Sequence, residues 1–195
     1  MIKTQSILIE ELAGYGAPAN KLMRMARAGE VTPIVRGLYE TDPSTPAHLV
    51  AASIYGPSYV SFEWALSYYD LIPERVCEVT CATFEKGRKK SYDTPLGRLT
   101  YRDVPSAAFP LGLVIKEENG RPFRIASPEK ALCDQLCKMP PAASQAELRL
   151  ALVGGLRIST DDIAKLNTQV ILDWRNAYRK TNVTLLCKLI EREAL

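Results

Sequence analysis

In the N-terminal part of the chain, apolar positions recur first with the spacing of helices and then with that of short strands. A first helix is predicted over residues 3–13, where four apolar side chains share roughly one face: Ile7, Leu8, Leu12 and Ala13. A second helix is predicted from Pro18 to about Ala28, because proline suits a first helical turn and Gly29 occupies the stop position.

Two short strands are predicted after the second helix, at Val31–Val35 and Leu38–Thr41, with Arg36 and Gly37 at the turn between them. Pro33 must lie on a sheet edge, since it has no N–H group to donate to a ladder. A basic helix followed by such a hairpin is typical of a winged helix-turn-helix, which binds nucleic acid and needs no catalytic chemistry.

The turn-rich stretch 41–46 is a predicted linker. We therefore expect a winged helix-turn-helix DNA-binding domain over residues 1–42 and a second domain over residues 46–195. In the second domain, strands precede helices in separate blocks, which favours an α+β fold over alternating βα units. We expect a mixed domain with a small antiparallel sheet and a C-terminal helical block.

The predicted elements of the second domain follow from periodicity and turn residues. Two helices are expected at 46–55 and 61–70, followed by four strands at Val76–Phe84, Gly97–Val104, Leu111–Lys116 and Pro122–Ala126. Asn119-Gly120 between two apolar runs is the strongest hairpin signal in the chain. Ser127 and Pro128 open a helix, and further helices are expected at 144–153, 159–166, 168–178 and 182–193, with Gly154-Gly155 as the stop of the first of these.

The second predicted helix carries the candidate DNA contacts. At about 100° per residue, one stripe contains Ala19, Leu22, Met23 and Ala26, and the adjoining stripe contains Asn20, Arg24 and Arg27. The first stripe can pack on the preceding helix, and the second can face DNA, where arginine suits guanine and asparagine suits adenine. Lys21 and the turn residue Arg36 are candidate phosphate contacts. The alternative is that these cations form an ordinary solvated helix face.

In four segments the chain resembles the AbiEi-type antitoxin family, the winged-helix regulators of abortive-infection (type IV) toxin–antitoxin pairs in bacteria. The segments span residues 22–134: Leu22 to Gly29-Glu30, Val35-Arg-Gly-Leu-Tyr39, Tyr59-Val-Ser-Phe-Glu-Trp-Ala-Leu66 with Leu71-Ile-Pro73, and Ile125-Ala-Ser-Pro-Glu-Lys-Ala-Leu-Cys-Asp134. The family is more basic where this chain has Pro33-Ile34-Val35.

The resemblance implies a transcriptional repressor of its own operon that takes part in phage defence and is not an enzyme. Its N-terminal module would bind double-stranded operator DNA, and its C-terminal domain would counteract a nucleotidyltransferase-type toxin. Two alternatives stay open. The chain could be a pure protein-interaction module with a vestigial DNA-binding unit, or, less favoured, a metal-dependent nuclease or nucleotidyltransferase.

The densest run of charge is Lys86-Gly-Arg-Lys-Lys90, between two predicted strands, where we expect a mobile loop. Such a run can simply be solvated, or it can add nonspecific attraction to DNA or RNA. It can also bind an acidic toxin surface. The candidate partner-binding residues are therefore Lys86, Arg88, Lys89 and Lys90.

Candidate catalytic and metal-binding groups do not combine into a known arrangement. If Cys77 and Cys81 lie in one strand they are about 13 Å apart, too far for two ligands of one zinc ion. The helical pair Cys133 and Cys137 has no partner ligands nearby in the sequence, and His48 is the only histidine. No nucleophile elbow or phosphate-binding glycine loop is present. We expect no cofactor and no metal.

Composition adds few constraints. The chain has 195 residues, 47% hydrophobic content and a net charge of +3, which permits nucleic-acid binding without indicating it. No apolar run approaches the length of a membrane span, and Met1-Ile-Lys-Thr lacks the pattern of a signal peptide. Five cysteines suit a reducing compartment. We expect a cytoplasmic protein of undetermined oligomeric state.

Overall fold

The computed structural model describes residues 1–193, and these confirm the α+β class. Strands form two separate sheets, one of three strands near the N-terminus and one of six strands in the centre. The N-terminal elements are β1 (Ile2–Thr4), α1 (Gln5–Glu11), α2 (Pro18–Arg27), β2 (Thr32–Val35) and β3 (Leu38–Glu40). Helix α2 and the hairpin of β2 and β3 therefore lie where the periodicity predicted them.

The first predicted helix is partly wrong, because its first residues form β1 instead. The Thr4 hydroxyl accepts a hydrogen bond from the backbone N–H of Ile7, so α1 begins only after Thr4. Residues 2–4 pair antiparallel with β3, and the strand order is β1-β3-β2. Since β2 lies at an edge of this sheet, the predicted edge position of Pro33 is confirmed.

A small apolar cluster holds the N-terminal elements together. Leu8, Leu22 and Val31 are its buried residues, and Met25 packs against them. The predicted buried stripe of α2 is wrong at two positions, because Ala19 is exposed and Met23 is 53% exposed. The helix is rotated toward Met25, which leaves Met23 facing solvent.

The central sheet is mixed and larger than the small antiparallel sheet predicted. Its order is β6-β7-β5-β4-β9-β8, in which β5 pairs parallel with β7, and β4 pairs parallel with β9. Helix α3 connects the N-terminal region to this sheet, and α4 connects its strands β4 and β5. The elements are α3 (Ala47–Ile54), β4 (Tyr59–Val60), α4 (Phe62–Tyr68), β5 (Val79–Thr83), β6 (Lys90–Thr94), β7 (Gly97–Asp103), β8 (Leu113–Glu118) and β9 (Arg121–Ala126).

Two strands of this sheet have no prediction from the sequence. Strand β4 has two residues, too few for any alternation to be visible, and β6 reads Lys-Ser-Tyr-Asp-Thr, with a single apolar residue. The predicted strand over 76–84 begins only at Val79, so Cys77 lies outside it. By contrast, the hairpin at Asn119-Gly120 is confirmed, with φ of +53° and +71° at its two turn residues.

The C-terminal block is helical, as predicted. Ser127 caps α5 through its side chain, and Ser159 with Asp162 forms a capping box. Gly154 and Gly155 lie inside a π-helical segment and do not end it; Arg157, with φ of +56°, follows that segment. The elements are α5 (Pro128–Lys138), α6 (Gln145–Leu150), the π-helical segment Ala151–Leu156, α7 (Thr160–Ala164), α8 (Thr168–Tyr178) and α9 (Thr181–Glu193).

A buried polar network fastens α5 to its neighbours. The side chains of Lys130 and Asp134 are both 0% exposed, with Lys130 Nζ 3.3 Å from Asp134 Oδ1. Asp134 accepts hydrogen bonds from the hydroxyls of Tyr59 at 2.9 Å, Ser61 at 2.7 Å and Tyr178 at 2.5 Å. Burial, reinforced by this carboxylate, raises the pKa of Tyr59 and Tyr178 well above the usual tyrosine value. Every member of the network is therefore paired, as buried polar groups require.

Polar contacts join the N-terminal elements to the central sheet. The Glu40 side chain, at the end of β3, is 0% exposed and contacts the Met1 amino group and Arg121 of β9. Arg121 Nη1 lies 2.9 Å from Glu40 Oε2 and also donates to the Thr45 hydroxyl. Burial raises the pKa of Glu40, but the hydrogen bonds from Met1 and Arg121 outweigh it and lower the pKa overall. We refer to this contact as the Glu40–Arg121 salt bridge.

Candidate nucleic-acid interface

The face of α2 that points away from the apolar cluster carries the predicted DNA contacts. Asn20, Met23, Arg24 and Arg27 are all exposed, and at 100° per residue they fall within an arc of about 100°. Within residues 1–193, neither arginine makes a salt bridge or a hydrogen bond through its side chain. The structure therefore brings three predicted residues together and adds Met23, which the sequence had placed in the core.

Lys21 lies at the border of this face. Its side chain is half-buried, and its Nζ is 5.5 Å from the centroid of the Tyr15 ring, in the turn between α1 and α2. A cation at this distance over an aromatic face is held by electrostatic attraction. Lys21 is thus directed toward the turn, apart from Arg24 and Arg27.

Arg36 is exposed at the tip of the β2–β3 hairpin. The turn needs Gly37, whose φ of +80° is strained for other residues and whose Cβ position is open space. The Gly37 carbonyl accepts a hydrogen bond of 2.9 Å from the backbone N–H of Gln5, which ties the hairpin turn to the start of α1. The turn that carries Arg36 is therefore attached to the start of α1.

In residues 1–42, the number of cations available to a partner depends on salt bridges more than on the count of charged residues. Residues 1–42 contain five lysines and arginines and five acids, so their formal net charge is zero. Lys3 pairs with Glu11 at 2.6 Å, and the carboxylates of Glu40 and Asp42 face Arg121 of the central sheet. The cations left without a carboxylate partner in the described chain are Lys21, Arg24, Arg27 and Arg36.

The second candidate surface, Lys86–Lys90, is divided between the two sides of the central sheet. Lys86 Nζ lies 5.4 Å over the Tyr55 ring, and Lys90 shares a strand face with Tyr92, whose ring contacts Tyr55 and Tyr101. Arg88 and Lys89 are exposed on the other side. The four predicted partner-binding residues therefore do not form one continuous patch.

The loop before β6 is anchored at its start, contrary to the mobile loop expected. The Asp103 carboxylate accepts hydrogen bonds from the backbone N–H groups of Lys86 at 2.8 Å and Gly87 at 2.7 Å, and from the Thr83 hydroxyl at 2.7 Å. On the side of Arg88 and Lys89, the concave surface also includes Arg102 and Lys138. These two cations are distant in sequence, so no local signal could have linked them to the loop.

Four of the five cysteines are buried, and so is the single histidine. Cys81 and Cys133 are buried, and burial raises the pKa of both thiols, whereas Cys77 is exposed. His48 lies between the rings of Trp64 and Phe123, with Nε2 2.9 Å from Glu118. Burial lowers the pKa of His48, although Glu118 opposes this shift.

Among residues 1–193, no group of three or more histidine, cysteine, aspartate or glutamate side chains could hold a metal ion. In the same residues, no helix is both long and apolar enough to cross a membrane.

No protein-family model matches the chain, and no curated protein matches it. The likeness to AbiEi-type antitoxins therefore rests on the four quoted segments alone.

Proposed function

We propose that this protein is a cytoplasmic bacterial antitoxin and transcriptional autorepressor of the AbiEi type. Its N-terminal unit is proposed to be a winged helix-turn-helix domain that binds operator DNA, and residues 46–195 are proposed to counteract a nucleotidyltransferase-type toxin. In this account the protein binds its partners and catalyses no reaction.

The DNA-binding function is supported by the exposed face of α2, on which neither arginine has a carboxylate partner among residues 1–193. On this face Asn20, Arg24 and Arg27 lie together and exposed, with Lys21 at its border. Arg36 is exposed at the tip of the β2–β3 hairpin, whose turn is bonded to the start of α1.

The dimensions of α2 suit the major groove. Its ten residues span about 15 Å at 1.5 Å per residue, and in helix-turn-helix proteins the second helix enters that groove while the first crosses the backbone. In this orientation Asn20 and Arg24 would face base edges, where asparagine pairs with adenine and arginine with guanine. Arg27, Lys21 and Arg36 would contact phosphates on either side.

The antitoxin half is supported by the family resemblance and by free cations. Lys86, Arg88, Lys89 and Lys90 remain the proposed contacts for an acidic toxin surface. Of these, Arg88 and Lys89 are exposed, whereas Lys86 and Lys90 are half-buried.

The DNA-binding proposal is tested by measuring the affinity of the full-length protein for DNA from upstream of its own gene. Arg24→Ala with Arg27→Ala should weaken binding at least tenfold, since one bidentate base contact contributes about 1–3 kcal/mol. Arg36→Ala should reduce the slope of log K against log salt by about 0.9, as expected for one phosphate contact.

The matched control is Arg124→Ala with Lys188→Ala, two exposed cations outside the N-terminal unit. This variant should bind as the wild type does. Unchanged affinity and salt slope in the Arg24 and Arg27 variant would remove α2 from the interface.

One observation favours the second candidate, a protein-interaction module with a vestigial DNA-binding unit. Arg24 and Arg27 lie in the last turn of α2, where cations also stabilise a helix through its dipole. Growth rescue on co-expression with the neighbouring toxin is expected under both proposals, so binding of the wild type to upstream DNA separates them. If the wild type rescues growth but does not bind upstream DNA, the second candidate is correct.

A further inference from the structure

Arg88 and Lys89 line a concave surface that the sequence does not reveal. The cavity measures about 400 Å³, and four cations from three separate elements border it. The loop contributes Arg88 and Lys89, β7 contributes Arg102, and the last turn of α5 contributes Lys138.

Among the four cations of this cavity, Arg102 has a carboxylate partner and the other three do not, within residues 1–193. Arg88, Lys89 and Lys138 are exposed, and no carboxylate within residues 1–193 lies within salt-bridge distance of them. Arg102 is held in the wall by Glu63 and by the Phe62 ring, 4.1 Å away. The one acid at the border, Asp103, already accepts three hydrogen bonds from the loop and β5. Three cations are therefore available to an external anion.

A second cleft of about 500 Å³ adjoins the cationic cavity, because Lys89 and Arg102 border both. Its apolar wall is formed by Ile72, Val76 and Leu156. Three glutamates also line it, and each faces an arginine: Glu63 faces Arg102, Glu74 faces Arg157 at 2.6 Å, and Glu78 faces Arg98 at 3.8 Å.

We propose that the two cavities together form a binding site for a small organic phosphate. Arg88, Lys89 and Lys138 bind the phosphate group, since charge-assisted hydrogen bonds to phosphate are among the strongest available. The apolar body of the ligand lies against Leu156 and Val76. Together the cavities fall in the size range of small-molecule sites.

The test is calorimetric titration of the full-length protein at low salt with two probes, adenosine monophosphate and inorganic phosphate. Adenosine monophosphate should bind saturably and about tenfold more tightly than inorganic phosphate, because only the organic probe fills the apolar cleft. Leu156→Ala should weaken binding of the nucleotide and leave that of inorganic phosphate unchanged.

The charge contribution is tested with Arg88→Ala combined with Lys89→Ala. Both side chains are exposed and make no contact that the fold needs, so the variant should fold, and it should bind the nucleotide at least tenfold more weakly, as expected for two lost charge-assisted contacts. The control, Arg124→Ala with Lys188→Ala, removes one arginine and one lysine elsewhere and should retain wild-type affinity.

Three results would overturn the site. They are no saturable binding of either probe, equal affinity for both probes, or equal weakening in the test and control variants. Loss of toxin binding in the Arg88 and Lys89 variant without any nucleotide binding would assign these cations to an acidic protein surface instead. None of these measurements involves DNA, so their failure leaves the proposed DNA-binding function untouched.

Discussion

Met23 places a flexible thioether next to Asn20 and Arg27, at the edge of the exposed face of α2. In the major groove the C5-methyl group of thymine is read by apolar side chains, and methionine adapts its shape readily to such contacts. Under the proposed function, Met23 is therefore expected to contact a thymine of the operator.

Replacing thymine by deoxyuracil removes only this methyl group from the DNA. We expect the wild-type protein to bind the uracil-containing operator about fourfold more weakly, because burying one methyl-sized group contributes about 0.8 kcal/mol. Competition binding with Met23→Ala provides the control, since this variant should not distinguish the two operators. An equal loss of affinity in the wild type and in Met23→Ala would show that another residue contacts the methyl group.

Removal of the buried cation of Lys130 should cost several kcal/mol of stability. Lys130→Met leaves the fully buried Asp134 carboxylate without its cation, and breaking a buried ion pair in this way costs about 3–5 kcal/mol. Urea denaturation measures the free energy of unfolding, and the exposed Lys188→Met should change it by no more than about 0.5 kcal/mol. Wild-type stability in Lys130→Met would mean that the three hydroxyls alone satisfy Asp134.

At the level of elements, the β8–β9 hairpin depends on left-handed backbone at Gly120. Gly120→Ala meets no neighbouring atom, but it must adopt a φ of +71°, which costs about 1 kcal/mol. Gly154 is the matched control, because its Cβ position is also open and its φ is not left-handed. Gly154→Ala should be neutral or slightly stabilising in urea denaturation. Equal destabilisation by both substitutions would refute the role of φ.

Elements with local signals were predictable from the sequence, and elements that depend on distant partners were not. Helices α2 and α5 were found from proline and capping residues, and the β8–β9 hairpin from Asn119-Gly120. Strand β1 was mistaken for the start of a helix, because only its pairing with β3 makes it extended. Strand β6 was missed because its polar residues are stabilised by pairing with β7.

The candidate sites show the same limit. The cationic face of α2 is local, so Asn20, Arg24 and Arg27 were identified from helical spacing. The exposure of Met23 could not be predicted from helical spacing, because it depends on how α2 is rotated against Leu8 and Val31. The grouping of Lys138 with Arg88 depends on the path of the whole chain.

For the whole molecule, the Glu40–Arg121 salt bridge makes the free energy of unfolding depend on pH. Because the folded-state pKa of Glu40 is below its ordinary value of 4.5, its stabilisation is complete above that pH and is lost as pH falls through the lowered pKa. Arg121→Met removes one cause of the lowered pKa. This variant should therefore lose less free energy of unfolding between pH 6 and about pH 3 than the wild type does.

Urea denaturation across this pH range provides the measurement. The pKa of Asp42 is lowered mainly by hydrogen bonds from Ser44, so its contribution should persist in the variant. Parallel pH profiles for the two proteins would show that the lowered pKa of Glu40 does not depend on Arg121.

The central claim is that the solvent-facing side of α2 contacts DNA, and backbone amide chemical shifts test it most directly. Upstream duplex DNA is added to the isotope-labelled full-length protein, and shift changes are mapped by residue. Changes are expected to concentrate in residues 19–27 and around Arg36. Saturable binding with no change in these segments, or with changes confined to residues 86–90, would contradict it.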